Sequence, residues 1–190
     1  MSDASDLEDC FIESKANQIL QNARQGGYYN GNSHTPLDEI CDQQLELKYI
    51  IINLPQTRNG DDIGGYIHFQ EKSIVLNNLE YKNAYHKGRI NFTIAHEIGH
   101  WILHKGLYDY DKPKFILLHT EFSEELDKFE TQADFFSACL LMPRNLVIQK
   151  WKEYKSYSAQ ERRAILADFF RVSDPAMHKR LYFLKLYQNV

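Results

Sequence analysis

Apolar residues recur at helical spacing through Leu7, Phe11, Ile12, Ala16, Ile19 and Leu20, and the pattern stops at Gln25-Gly26-Gly27. That predicts an N-terminal amphipathic helix with one buried side. In Thr35-Pro36-Leu37-Asp38-Glu39 a cap-forming residue precedes a proline and two acids, the composition of a helix's first turn, so a short second helix should follow. From Leu47 to Leu54 β-branched residues dominate and Pro55 closes the run, which predicts a strand. Gly65 to Phe69 and Ser73 to Asn77 flank the polar turn Gln70-Glu71-Lys72 and should pair as a hairpin.

The period then changes to that of a helix from Lys87 to His104, ending at Gly106, and again from about Ser123 to Met142, ending at Pro143. From Leu146 onward the chain reads as further helices. Helices, a small sheet, then more helices is a segregated α+β order and not the alternation of a parallel-sheet protein. No repeat or Pro/Gly/Ser linker divides the chain. Residues 1–145 should form the main domain, with 146–190 a helical extension packed on the same unit.

Composition narrows the function classes. The 190 residues are 43% hydrophobic and 25% charged, which excludes disordered and coiled-coil readings. Twenty-two basic against 26 acidic side chains leave a net charge of -4, so nucleic-acid binding would need a local patch. Cys10, Cys41 and Cys139 are odd in number and form no C-x-x-C pair, arguing against a disulfide framework or a structural zinc cluster. They suit a reducing cytosol, as small buried hydrophobes, Cys139 especially. The acidic start MSDASDLEDCFIES has no apolar core, and no run approaches a membrane span. A soluble, cytoplasmic protein is expected.

The chemistry is concentrated in Phe92-Thr93-Ile94-Ala95-His96-Glu97-Ile98-Gly99-His100. On a helix His96 and His100 lie one turn apart on one face, about 6 Å along the axis, so both imidazoles can reach one ion. Glu97 sits beside that face. Two histidines at this spacing bind zinc, and the glutamate between them serves as general base toward water. A hydrolytic zinc needs a third protein ligand. His104 follows His96 by about 12 Å along the axis, too far to share one ion with His96 and His100. It reads instead as a helix C-terminal histidine or one packed beside Trp101.

The next long helix offers Glu130 and Asp134 one turn apart, with the small Ala133 between them to let two helices approach. Glu130 is the expected third ligand. Asp134 is expected behind it, accepting the outer N–H of a ligating histidine.

FTIAHEIGHWILH together with E-x-x-A-D-x-F-x-A-x-L-L-M-P over Glu130–Pro143 resembles the ImmA/IrrE family of metallopeptidases, and most of the chain follows that family's order. The resemblance implies a zincin-like, gluzincin-type site with zinc on His96, His100 and Glu130 and with Glu97 as general base. Manganese is a second candidate for the working ion. It also implies a cytosolic endopeptidase that cuts a helix-turn-helix repressor and frees the stress-response or mobile-element genes held by it. Gln132 departs from the family, which commonly has an acid there, and so alters the local charge.

An additional oxyanion donor is expected among His68, Tyr81, Tyr85 and His86, which the sequence does not rank. An open strand edge should grip an extended substrate. A competing reading makes the tail a DNA-binding module: residues 159–190 hold six Lys or Arg (162, 163, 171, 179, 180, 185) against three acids. Ala164–Phe170, a turn over Val172–Met177 and His178–Leu184 then read as helix, turn, helix. Against it, Tyr182, Phe183, Leu184, Leu186 and Tyr187 make that last helix apolar, better suited to packing or repressor docking than to reading bases. A third reading is an interaction regulator with a structural metal; the presence of Glu97 counts against it. Oligomeric state leaves no mark in the sequence.

Overall fold

The computed structural model describes residues 4–56, 63–81, 87–106 and 124–187. Helix α1 (Ala4–Gln25) turns Ile12, Ala16, Ile19, Leu20 and Ala23 inward. Phe11, assigned to that stripe from its spacing, is 57% exposed. It lies about 100° around the axis from Ile12, outside the buried sector, and Lys15 Nζ sits 5.2 Å from its ring centroid.

Helix α2 (Leu37–Glu39) continues as a π-helical segment, Ile40–Leu45, closed by Glu46 in the left-handed conformation at φ 54°. Thr35 does not cap it. Its buried Oγ1–H donates to the Leu140 carbonyl oxygen at 2.8 Å, closing the end of a different helix 105 residues away.

Strands β1 (Lys48–Ile52), β2 (Gly65–His68) and β3 (Ser73–Asn77) form one sheet in the order β1-β3-β2. β2 and β3 pair antiparallel, with His68 opposite Ser73, as the hairpin pattern predicts. β1 runs parallel to β3, Lys48 beside Ser73; a parallel pair is joined by a long connection and leaves no local turn signal. Central β3 is buried at every residue. On edge strand β1, Ile50, Ile51 and Ile52 are partly exposed, so β-branched composition predicted a strand there without predicting burial.

A one-turn helix α3 (Asn78–Tyr81), absent from the sequence reading, precedes α4 (Lys87–Leu103). Helices α5 (Glu124–Leu141), α6 (Arg144–Glu153), α7 (Ala159–Phe170) and α8 (Asp174–Phe183) follow. The arrangement is α+β, with α4 packed between the sheet and α5, and with α1 on α5. Helix α7 begins with a reciprocal capping box between Ser158 and Glu161. Helix α8 starts at Asp174, capped by Ser173 and opened by Pro175, so the turn expected over Val172–Met177 is shorter than its composition suggested.

The tail is tied back by specific contacts. Asn91 Nδ2 on α4 donates to the Arg171 carbonyl at 2.9 Å. A Cβ on Gly88 would lie 2.7 Å from Ser173 N, so α4 begins in backbone contact with the α7–α8 turn. Arg180, 2% exposed, donates Nε–H to the Met142 carbonyl at 3.0 Å and Nη2–H to Glu13 Oε1 at 2.9 Å. No described helix is long and apolar enough to cross a membrane.

Candidate metal centre

Two helices build the centre. His96, Glu97 and His100 stand on α4, and Glu130 and Asp134 on α5. The crossing is close because small residues meet there: a Cβ on Gly99 would lie 3.2 Å from Ala133 Cα and 3.3 Å from Ala133 O. Glycine at the fourth position of His-Glu-Ile-Gly-His therefore sits in a tight crossing, which the sequence announces only from the Ala133 side.

His96 Nε2 lies 2.9 Å from His100 Nε2 and 3.0 Å from Glu130 Oε2, and His100 Nε2 lies 3.3 Å from Glu130 Oε1. The outer nitrogens have partners of their own. His96 Nδ1 is 2.9 Å from Asp134 Oδ1, and a carboxylate only accepts, so Nδ1 carries the proton and donates. That leaves the Nε2 lone pair of His96 facing inward. His100 makes its outer contact through Nδ1 to His104 Nδ1 at 2.9 Å.

Two imidazole nitrogens and a carboxylate converge within 4.8 Å; with both nitrogens unprotonated, as metal ligands are, they would repel one another unless a cation stood between them. Zinc bonds of ~2.0–2.1 Å in a tetrahedral site would space their ligand atoms about 3.3 Å apart. The observed separations come close to that, so the donor set fits a zinc-type ion. His96, His100 and Glu130 are thus brought together, and Asp134 lies against His96. Glu97, 3% exposed, is adjacent to His96 on the same helix.

The remaining expected residues fare differently. His68 Nδ1 accepts the Glu71 backbone N–H at 3.3 Å, a contact within the hairpin turn. The side chain of Tyr81 and all of Tyr85 and His86 lie outside the described residues. Cys41 and Cys139 are buried, as expected, and burial pushes each thiol up to about 12, so neither supplies a thiolate. Cys10 is exposed instead.

Sequence reasoning missed the contact of His104 with His100, although the same four-residue spacing that pairs His96 with His100 pairs His100 with His104. Gln132 and Glu8, joined to His104 in a chain, were missed as well. Glu8 is 124 residues from Gln132, and no local pattern could announce that contact.

The peptidase-family model described as the IrrE N-terminal-like domain matches residues 58–182. The chain belongs to that family. Its α+β fold is accordingly zincin-like, and the family is a peptidase family. In this IrrE-like chain the match begins ahead of β2 and runs into α8. No curated protein matches the sequence. Among solved structures, a Mycobacterium tuberculosis transcriptional regulator shares the fold with a TM-score of 0.54 at 16% identity, over 88% of this chain and 46% of that one. The chain therefore spans less than half the length of that regulator.

Beside Asp134 a cavity of about 570 Å³ opens between α4, α5 and α8, with Phe92, Phe135, Ala138, Met142 and Phe183 among its apolar walls and Arg89 and Lys179 among its polar ones.

Proposed function

We propose that this chain is a zinc-dependent endopeptidase, with His96, His100 and Glu130 holding the ion, Asp134 orienting His96 and Glu97 acting as general base. The observation that carries the reading is the convergence of two histidine nitrogens and a carboxylate beside a buried glutamate. When bound, the cation supplies Lewis acidity, polarising a carbonyl and acidifying water. Glu97 accepts the proton of the attacking water and returns it to the leaving amine nitrogen. Low exposure of Glu97 keeps competing solvent from that proton. Zinc is preferred for two imidazoles and one carboxylate in a small site, with manganese as the alternative working ion.

Substrate is gripped along β2, an edge strand among the described residues. Of the two edges it is the one that meets α4: a Cβ on Gly65 would sit 3.1 Å from Thr93 Cγ2. An extended peptide added there would run past the centre. The cavity beside Asp134 has the size and lining for a large apolar substrate side chain.

The proposed substrate is a helix-turn-helix repressor in the cytoplasm, cleaved to release stress-response or mobile-element genes. The regulator title of the structural neighbour is in keeping with such a role. Residues 146–190 are proposed to complete the same unit and not to bind DNA. Of their cations, Arg180 is buried on Glu13, Arg163 Nε donates to Asp174 Oδ1 at 2.8 Å, and the Arg162 guanidinium lies 4.2 Å from the Trp151 ring centroid.

The deciding experiment incubates the protein and its Glu97→Gln variant with the repressor encoded nearest the gene and follows cleavage by gel and mass spectrometry. Cleavage should fall about 10²–10⁴-fold with metal content retained. Near-normal turnover by the variant would sink the mechanism.

A further inference from the structure

Behind His100 a chain of polar side chains leads away from the centre to α1. His100 Nδ1 is 2.9 Å from His104 Nδ1, and His104 Nε2 is 2.8 Å from Gln132 Oε1. The Gln132 amide nitrogen donates to Glu8 Oε1, and Lys128 Nζ stands 3.4 Å from the same oxygen. Both histidines are buried, at 0% and 1% exposure. The Phe129 ring lies against His104 with centroids 4.6 Å apart and holds its plane.

The chain has one consistent direction. Glu8 ends it as a carboxylate, which only accepts, so the Gln132 NH₂ faces Glu8 and its Oε1 faces His104. His104 must then donate through Nε2–H and, as a neutral ring, accept through Nδ1. The proton between the two Nδ1 atoms therefore belongs to His100, whose Nε2 is left as a lone pair toward His96 and Glu130. Reversing the direction would set the Gln132 oxygen against the Glu8 carboxylate and put the His100 proton on Nε2, taking away the lone pair a metal ligand needs.

We propose that His104, Gln132 and Glu8 are positioning residues that lock His100 in its Nδ1–H tautomer and aim its Nε2 at the cation position. This rests on the reading of His96, His100 and Glu130 as ligands. Glu8 lies outside residues 58–182, where the family resemblance is found, so in this chain helix α1 contributes to the centre from beyond that stretch. Gln132 suits the role better than an acid would: it must both accept from His104 and donate to Glu8, and a carboxylate cannot do the second.

Two readouts on the full-length chain test this. The first is the ¹⁵N imidazole spectrum of the metal-free protein at mildly alkaline pH, which reports tautomers directly. It should show His100 protonated at Nδ1 and His104 at Nε2, with the His100 preference lost in His104→Phe. The second is cobalt(II) binding, followed by visible absorption and chelator competition. His104→Phe should weaken it about 10–100-fold. His104→Gln, which keeps one acceptor and one donor, should restore most of the loss. Glu8→Ala and Gln132→Leu should weaken binding in the same direction by less, with unchanged far-ultraviolet circular dichroism. Unchanged cobalt affinity in Glu8→Ala and Gln132→Leu overturns the proposal, and these variants decide it if His104→Phe does not fold. Cobalt binding that survives Glu130→Ala overturns the ligand assignment instead, and the metal-free tautomers then decide the chain by themselves.

Discussion

Gly99 and Ala133 touch where α4 crosses α5: a Cβ on the first would come within 3.2 Å of the Cα of the second. The other near neighbours are Ala133 O at 3.3 Å and the Phe136 ring at 3.2 Å; the main-chain atoms cannot swing aside, so Gly99→Ala is expected to push the helices apart by a few tenths of an ångström. Overpacking of this kind costs about 1–3 kcal/mol. It also separates His96 and His100 from Glu130. A lower urea midpoint and weaker cobalt binding are expected together; a variant more stable than the parent would show that the crossing has slack.

Removing the carboxylate that joins the two helices should abolish metal binding without unfolding the chain. Glu130 is partly exposed, at 32% of its side chain, so Glu130→Ala leaves a small defect. Elemental analysis of the purified variant should find the ion lost. Unchanged metal content would exclude Glu130 as a ligand.

Arg180 and Glu13 form an ion pair across the core, with Arg144 Nη2 also 3.0 Å from Glu13. Arg180→Leu leaves Glu13 with half its partners and the Met142 carbonyl with none from Arg180, and should cost about 3–5 kcal/mol. Chemical denaturation measures this.

The same pair sets an acid dependence. Burial pushes the Glu13 carboxyl up, but the hydrogen bonds and charges of Arg144 and Arg180 outweigh it, and the net shift is downward. A carboxylate held below its ordinary range contributes stability that is complete above that range and is lost as pH falls through the lowered value. The stability gap between the parent and Glu13→Gln should therefore be constant near neutrality and close in acid. A gap that widened on acidification would reverse the sign and refute the account.

The tail should not confer salt-sensitive DNA binding. Arg180 is unsuitable as a probe because it is buried, so the informative substitution is Lys179→Glu, on an exposed residue. Gel shifts at near-physiological ionic strength should show no specific complex for either protein. A steeply salt-dependent, sequence-selective shift lost in Lys179→Glu would promote the DNA-reading alternative.

Filling the cavity beside Asp134 should act on substrate alone. Ala138→Trp places an indole among Phe92, Phe135 and Phe183; KM for a cleaved substrate should rise with metal content unchanged. Unaltered KM would place the substrate elsewhere.

How much of this was legible in the sequence follows the range of the interactions involved. The pairing of His96 with His100 and of Glu130 with Asp134 is set within single helices by their 3.6-residue period, so spacing sufficed. The β2–β3 hairpin is likewise local. What escaped depends on partners distant in sequence: the parallel docking of β1, the spending of Thr35 on Leu140, the burial of Arg180 and the reach of Glu8 to Gln132. Phe11 escaped for a different reason, since the spacing that looked continuous put it about 100° off the buried face.

The Arg180 clasp also bears on biosynthesis. Helices α4 and α5 are near neighbours along the chain, and His96 and Glu130 stand 34 residues apart, a loop whose closure costs little and can be paid early. Glu13 waits for a partner 167 residues downstream, so during synthesis α1 can already rest on α5 before that clasp can close. Until α8 leaves the exit tunnel the nascent chain can gather its metal-binding helices with Arg144 alone on Glu13, so emergence of α8 is the step that completes the fastening of the amino-terminal helix.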